Sequence, residues 1–315
     1  PKGMEERKER VVKAKEEVMA KSERPREVRD TRSLFSAELV CSSITRPKAG
    51  VEFVHVVLVD NSGSNRAIAQ HLKQSSGYLT AGLNSLDPKS QVAFIYFSDH
   101  CDAHNIMQDV DFVSPDKEGD SILVSTISNI SDANGGDAPE AIECALKRAC
   151  ELDFGDARRR RLYLITDVVG HGMGMSDDGG CPDQQDWRKS LKKVAKTYDT
   201  FEVIGCGDDR TTGDLQKQFL SPERVALDLI DLSEIRETKH RQAITGNALL
   251  FLIARHSGPQ AVQMFLSALY EKWLSDPIFR GDTDRRAKET IRRFLKYIDL
   301  PDDKLANMES EIFAE

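Results

Sequence analysis

Asp60, Ser62 and Ser64 form an Asp-x-Ser-x-Ser run with Asn61 and Gly63 between them. A spacing of two lets alternate side chains of a tight loop converge on one point, and Gly63 is expected to supply the backbone freedom for the turn. Carboxylate and hydroxyl oxygens are hard donors, so the chemistry this point offers is the binding of a hard divalent cation. Two further stretches carry donors of the same kind. One is Thr166-Asp167; the other is Asn134-Gly135-Gly136-Asp137-Ala138-Pro139-Glu140. Asp60, Ser62, Ser64, Asp137, Glu140 and Asp167 are therefore the candidate ligands of one metal ion. The oxygen set suits magnesium, with manganese or calcium as alternatives. Each piece alone has an ordinary reading: Asp-x-Ser-x-Ser suits a helix N-cap, and Pro139 suits a first helical turn.

Their joint placement along the chain decides between these readings. Residues 51–60 are an almost uninterrupted apolar run ending in Asp60, as expected of a central parallel strand. Strand signals recur at 91–98, 161–167, 201–205 and 225–231. Helical patterns occupy 66–86, 118–131, 138–151, 184–196 and 211–219. Strands that alternate with helices imply right-handed crossovers and an α/β, doubly wound, mostly parallel sheet. Such sheets bind ligands at the carboxyl ends of their strands. All three oxygen-rich stretches fall at strand–helix junctions.

The rest of the chain divides around this unit. Residues 1–50 read as a charged N-terminal helix over 4–24, stopped by Pro25, and a lead-in. Residues 51–232 are the α/β domain. Residues 233–315 read as a helical C-terminal extension, with helices over 234–256, 259–274, 283–298 and 302–313 and no further strand. These helices carry apolar stripes, among them Ala248, Leu249, Leu252 and Ile253, then Val262, Leu266, Leu269 and Trp273. Such stripes must be buried; the expectation is that they dock a second protein surface, the alternative being that they fold back on the α/β domain and on residues 4–50.

Composition excludes several classes. A net charge of −8 argues against a general nucleic-acid binder. No apolar run approaches the length of a membrane span, and no signal peptide is visible. Six cysteines without a CxxC pair suit reduced thiols in an intracellular, cytoplasmic protein.

The segments 56–64 (VVLVDNSGS), 135–141 (GGDAPEA) and 162–167 (LYLITD) together resemble the metal-ion-dependent adhesion site of von Willebrand factor A (vWA) domains. The resemblance covers residues 51–232. Its flavour is that of the vWA domains found with alpha-kinases: GGDAPE, then Asp167 followed by His171-Gly172, then Asp178-Gly179-Gly180-Cys181-Pro182 as a loosened form of a later motif. No kinase domain and no Gly-rich phosphate loop is present. The resemblance implies that Asp60, Ser62 and Ser64 hold the metal directly or through water, with Asp167 as a water-mediated partner. Most members place a Thr in the second loop. Here Asp137 stands there, with Glu140 three residues on, as in integrin beta subunits, and which carboxylate binds directly is left open. Asn65-Arg66 replaces the acidic pair that would hold a second calcium.

Other residues invite chemistry. His171 is a candidate base or ligand, or merely lines the top of the sheet. His100, Cys101 and His104 hint at zinc but lack a fourth ligand at a typical spacing. Arg158–Arg161 reads as a solvated loop. The resemblance implies a metal-dependent protein-interaction module that takes an acidic side chain of a partner protein. Two alternatives stand beside it: a structural subunit with a vestigial metal site, and a metal-assisted phosphate-ester hydrolase using Asp60 as nucleophile.

Overall fold

The computed structural model describes residues 46–314 apart from 134–135, 137–138, 175–177, 221–225, 227, 234, 236–237 and 276–282. The charged stretch 4–24 and most of the lead-in lie outside the described residues, as does Asp137.

Apolar runs build the sheet. β1 (Phe53–Asp60), β2 (Ser90–Phe97), β4 (Arg159–Thr166), β5 (Thr200–Gly205) and β6 (Asp228–Asp231) are mutually parallel in the order β2-β1-β4-β5-β6. A sixth strand, β3 (Met107–Val113), adds antiparallel to β2 at the edge. β3 is absent from the sequence reading. Its MQDVDFV stretch mixes polar and apolar residues and is only partly buried, as suits an edge strand.

The period-2 alternation of the strands splits the core in two. Val57, Val59, Phe94, Tyr96, Tyr163, Ile165, Ile204 and Ile230 point to one face. Val54, Val56, Leu58, Ala93, Ile95, Phe97, Leu162, Leu164, Val203 and Leu229 point to the other. The second face is covered by α4 (Ile142–Ala149), α5 (Trp187–Thr197) and α6 (Asp209–Phe219). Asp186 and Asp208 begin α5 and α6 as side-chain N-caps. On the first face lie α1 (Arg66–Gln74), α2 (Ser76–Leu86) and α3 (Lys117–Ser128). The single helix expected over 66–86 is two, parted at Ser75, whose hydroxyl bonds the His71 carbonyl at 2.5 Å.

The C-terminal helices complete that face. α7 (Thr238–Ser257) is buried on all sides over 248–254 and packs on α1, α2 and β5. Arg255 and His256 anchor it to the fully buried Glu202 of β5. α8 (Pro259–Ser275) packs on α7, and α9 (Thr283–Leu295) and α10 (Asp302–Ile312) pack on α8. The stripes expected to seek another protein are thus covered within the chain: Val262, Leu266, Leu269 and Trp273 are all buried. The physical reason is that α1–α3 leave part of the Tyr163–Ile165–Ile204–Ile230 surface open, and α7 fills it. Among the described residues, no helix is long and apolar enough to cross a membrane.

Candidate metal centre

Strand order positions the oxygen ligands. β1 lies between β2 and β4, so their carboxyl ends bring Asp60, Ser98 and Thr166-Asp167 side by side. Asn61 N still bonds the Phe97 carbonyl at 2.7 Å, so the chain leaves the sheet only after Asn61. The loop then folds back on Asp60. Ser62 N donates to Asp60 Oδ1 at 2.9 Å, and Asn65 Nδ2 donates to the Asp60 carbonyl at 2.8 Å. Ser62 Oγ and Ser64 Oγ are 3.3 Å apart, and Ser64 Oγ donates to Asp167 Oδ1 at 3.1 Å. Thr166 Oγ1 lies 2.9 Å from Asp60 Oδ2. Gly63 does not adopt a positive φ, so the turn does not require glycine's conformational freedom.

The 139–141 segment roofs this group. Ala141 N bonds the Ser98 carbonyl and Glu140 N the Val169 carbonyl, each at 3.2 Å, which ties the segment to the ends of β2 and β4. Glu140 is 2% exposed, and its Oε2 has no hydrogen-bond partner. The structure thus brings together Asp60, Ser62, Ser64 and Asp167, with Glu140 in their electrostatic neighbourhood. Ser64 is exposed, so the group opens to solvent on that side.

Electrostatics favour a cation here. Burial, then the Asp167 charge, pushes the Asp60 carboxyl up to about 7. Burial, then Asp60 and Asp99, pushes Glu140 up to about 9. Burial also raises Asp167. Among the described residues no Lys or Arg forms an ion pair with Asp60, Glu140 or Asp167. Clustered buried carboxylates, offset at Asp167 by the charge of Arg241, favour shared protons or a bound metal. The donor set fits the second course. Cis oxygens around magnesium, at about 2.1 Å from the ion, stand about 3.0 Å apart, and around calcium about 3.4 Å. The Ser62–Ser64 and Ser64–Asp167 separations of 3.3 and 3.1 Å fall in that span.

Beside this group lies a second set of polar residues. His171 is buried and does not face the oxygen ligands as a free base. Its Nδ1 is 3.0 Å from Glu143 Oε1, and its Nε2 is 3.4 Å from Asp99 Oδ1. Although burial opposes the charged ring, Asp99 and Glu143 lift His171 to about 10. Burial likewise opposes the Glu143 carboxylate, yet His100 and His171 hold it down at about 2. Asp99, not among the expected site residues, lies two positions beyond the end of β2, after Ser98. Of the expected zinc partners of His100, Cys101 is exposed and the His104 side chain lies outside the described residues. His100 meets Cys144, Cys181 and Glu143. Arg159–Arg161, expected in a solvated loop, instead open β4 at the end opposite the oxygen ligands, with Arg159 paired to Asp199 and the buried Arg161 to Asp87.

Neither a family model nor a curated protein matches the sequence. Solved structures do. A "von Willebrand factor type A" protein from Catenulispora acidiphila aligns at 17% identity with a TM-score of 0.47, covering 66% of this chain and 43% of that one. The pilus adhesin SpaC of Lactobacillus rhamnosus GG, in its open conformation, aligns at 16% identity with a TM-score of 0.47, covering 67% of this chain and 31% of that one. This chain therefore spans less than half the length of either protein. At such similarity the architecture rests on this chain's own strand order, and no activity or partner transfers.

Proposed function

We propose that the chain is a vWA-type binding module of the kind found with alpha-kinases. In this reading it holds one divalent metal ion and presents it to an acidic side chain of another protein. The observation that carries this reading is the convergence of Asp60, Ser62, Ser64 and Asp167 at the ends of β1 and β4, under a Glu140 whose Oε2 has no hydrogen-bond partner. Asp60, Ser62, Ser64, Glu140 and Asp167 would hold the ion directly or through water, and Asp137 belongs to the same proposed set. The metal is magnesium, with manganese or calcium able to replace it. The exposed Ser64 side is the approach for the partner's carboxylate, which would complete the coordination with charge-assisted specificity.

A binding role is favoured over hydrolysis. Asp60 is fully buried beside Ser62 N and Thr166 Oγ1, where a small ion entering the loop could reach it but the phosphorus of a bulky ester could not. It is not presented to an incoming phosphate. An intracellular, cytoplasmic setting as a complex subunit suits the five cysteines among the described residues, none of which is in a disulfide.

The test is recovery of partners from cell extract by the wild-type chain in magnesium, by the same chain in EDTA, and by an Asp60→Asn variant in magnesium. The reading expects a common set of proteins lost in both EDTA and the variant. Identical recovery in all three would leave the metal without a part in binding.

A further inference from the structure

A second cluster of potential metal ligands, softer in chemical character, comes from three separate segments. His100 opens a short 3-10 helix after β2, Glu143 and Cys144 lie in the first turn of α4, and Cys181 lies in the loop before α5. One ligand atom from each falls within 4.8 Å of every other. Cys144 Sγ is 3.6 Å from Cys181 Sγ, far beyond the length of about 2.05 Å of a disulfide bond. His100 Nε2 is 3.7 Å from Cys144 Sγ, 3.4 Å from Cys181 Sγ and 3.6 Å from Glu143 Oε1.

These separations have the size of a coordination tetrahedron. Zinc takes thiolate sulfur at about 2.3 Å and imidazole nitrogen or carboxylate oxygen at about 2.0–2.2 Å. Tetrahedral angles then put the ligand atoms about 3.4–3.8 Å apart. Four of the six edges, from 3.4 to 3.7 Å, lie in that range, and the two from Glu143 to the sulfurs are within 4.8 Å. The surroundings supply the outer shell that such sites have. His100 Nδ1, its other ring nitrogen, faces Asp183 Oδ2 at 3.6 Å. The remaining Glu143 oxygen, Oε2, accepts from His171 N at 3.2 Å.

We propose that Cys144, Cys181, His100 and Glu143 form a structural zinc site that fastens the Cys181 loop to α4. Two thiolates and an imidazole select a borderline-soft ion such as zinc over magnesium. Four protein ligands close the coordination sphere and leave no position for a substrate. The consequence reaches the oxygen site. Glu143 also holds His171, and His171 reaches Asp99 beside the carboxylate cluster. Zinc would fix α4 and this loop together along one flank of the oxygen site, and it stands whether or not that site holds magnesium.

The full chain, purified under reducing conditions, is assayed for zinc by atomic emission. It is then stripped by a chelator and titrated with cobalt(II), followed by absorption spectroscopy. We expect one zinc per chain and a sulfur-to-cobalt charge-transfer band, which an all-oxygen site cannot give. Cys144→Ser and Cys181→Ser should each weaken zinc binding by more than about 100-fold and abolish the band. Cys150→Ser and Asp60→Asn should keep both. Far-ultraviolet circular dichroism establishes that each variant is folded. Two results overturn the proposal: a wild-type chain that holds no more zinc than a folded Cys144→Ser/Cys181→Ser double variant, or a Cys144–Cys181 disulfide found by mass spectrometry in place of the metal.

Discussion

Thr166 Oγ1 stands 2.9 Å from Asp60 Oδ2 and 2.9 Å from the Val168 carbonyl, so its one proton has two acceptors. A proton on Asp60 resolves the conflict, because Asp60 can then donate to Thr166 while Thr166 donates to Val168. An amide at position 60 would do the same. Asp60→Asn should therefore fold, and in EDTA it should be at least as stable as wild type. Urea denaturation of both metal-free proteins measures this. A loss of more than about 1 kcal/mol would show Asp60 to be a structural cap rather than a ligand.

The metal-free chain should respond to pH in the reverse of the usual carboxylate direction. Burial lifts Asp60 to about 7 and Glu140 to about 9. In the unfolded chain both titrate near 4. Between about pH 4 and 9 the folded state thus binds more protons, and its stability falls as pH rises. The melting temperature in EDTA should decline from pH 5 to pH 8, and decline less in Asp60→Asn. Saturating magnesium should flatten the profile. A metal-free melting temperature that rises over this range would contradict the charge arrangement.

The C-terminal helices should behave as part of the core. Phe251 of α7 is fully buried, with its ring 4.9 Å from that of Phe294. Phe251→Ala should cost about 3–5 kcal/mol. Met264 of α8 is 73% exposed, and Met264→Ala should stay within about 0.5 kcal/mol. Chemical denaturation compares the two, and equal costs would mean that α7 is not packed as described.

Arg148 of α4 holds Asp109 of the edge strand β3 through Nε at 2.9 Å and Nη2 at 2.7 Å. The pair is largely buried, and burial raises the Asp109 carboxyl. Arg148→Met should cost about 3 kcal/mol by leaving that carboxyl without its partner. Asp109→Leu/Arg148→Met should recover most of the loss. A double variant no better than the single one would show that the pair itself, rather than the unpaired charge, matters.

The contrast between β1 and β3 shows what the sequence could disclose. β1, β2 and β4 are buried almost end to end, so continuous apolar runs betray them. β3 is half polar and pairs on one side only, which leaves a weak signal. Asp60, Ser62, Ser64 and Asp167 were legible because strand ends are where a parallel sheet places ligands. Asp99 was not, since it stands outside any run of oxygen donors and meets Glu140 and His171 only in the fold. The His100–Cys144–Cys181 group was illegible for a related reason. Its members lie 44 and 37 residues apart, at spacings that match no local metal motif, and only the order of β2, β1 and β4 brings them together.

The most direct measurement is isothermal titration of magnesium and manganese into the wild-type chain and into Asp60→Asn. Single-site binding to the wild type is expected, weakened by more than about 100-fold in the variant. Equal affinity in the two proteins would contradict a metal centre at Asp60.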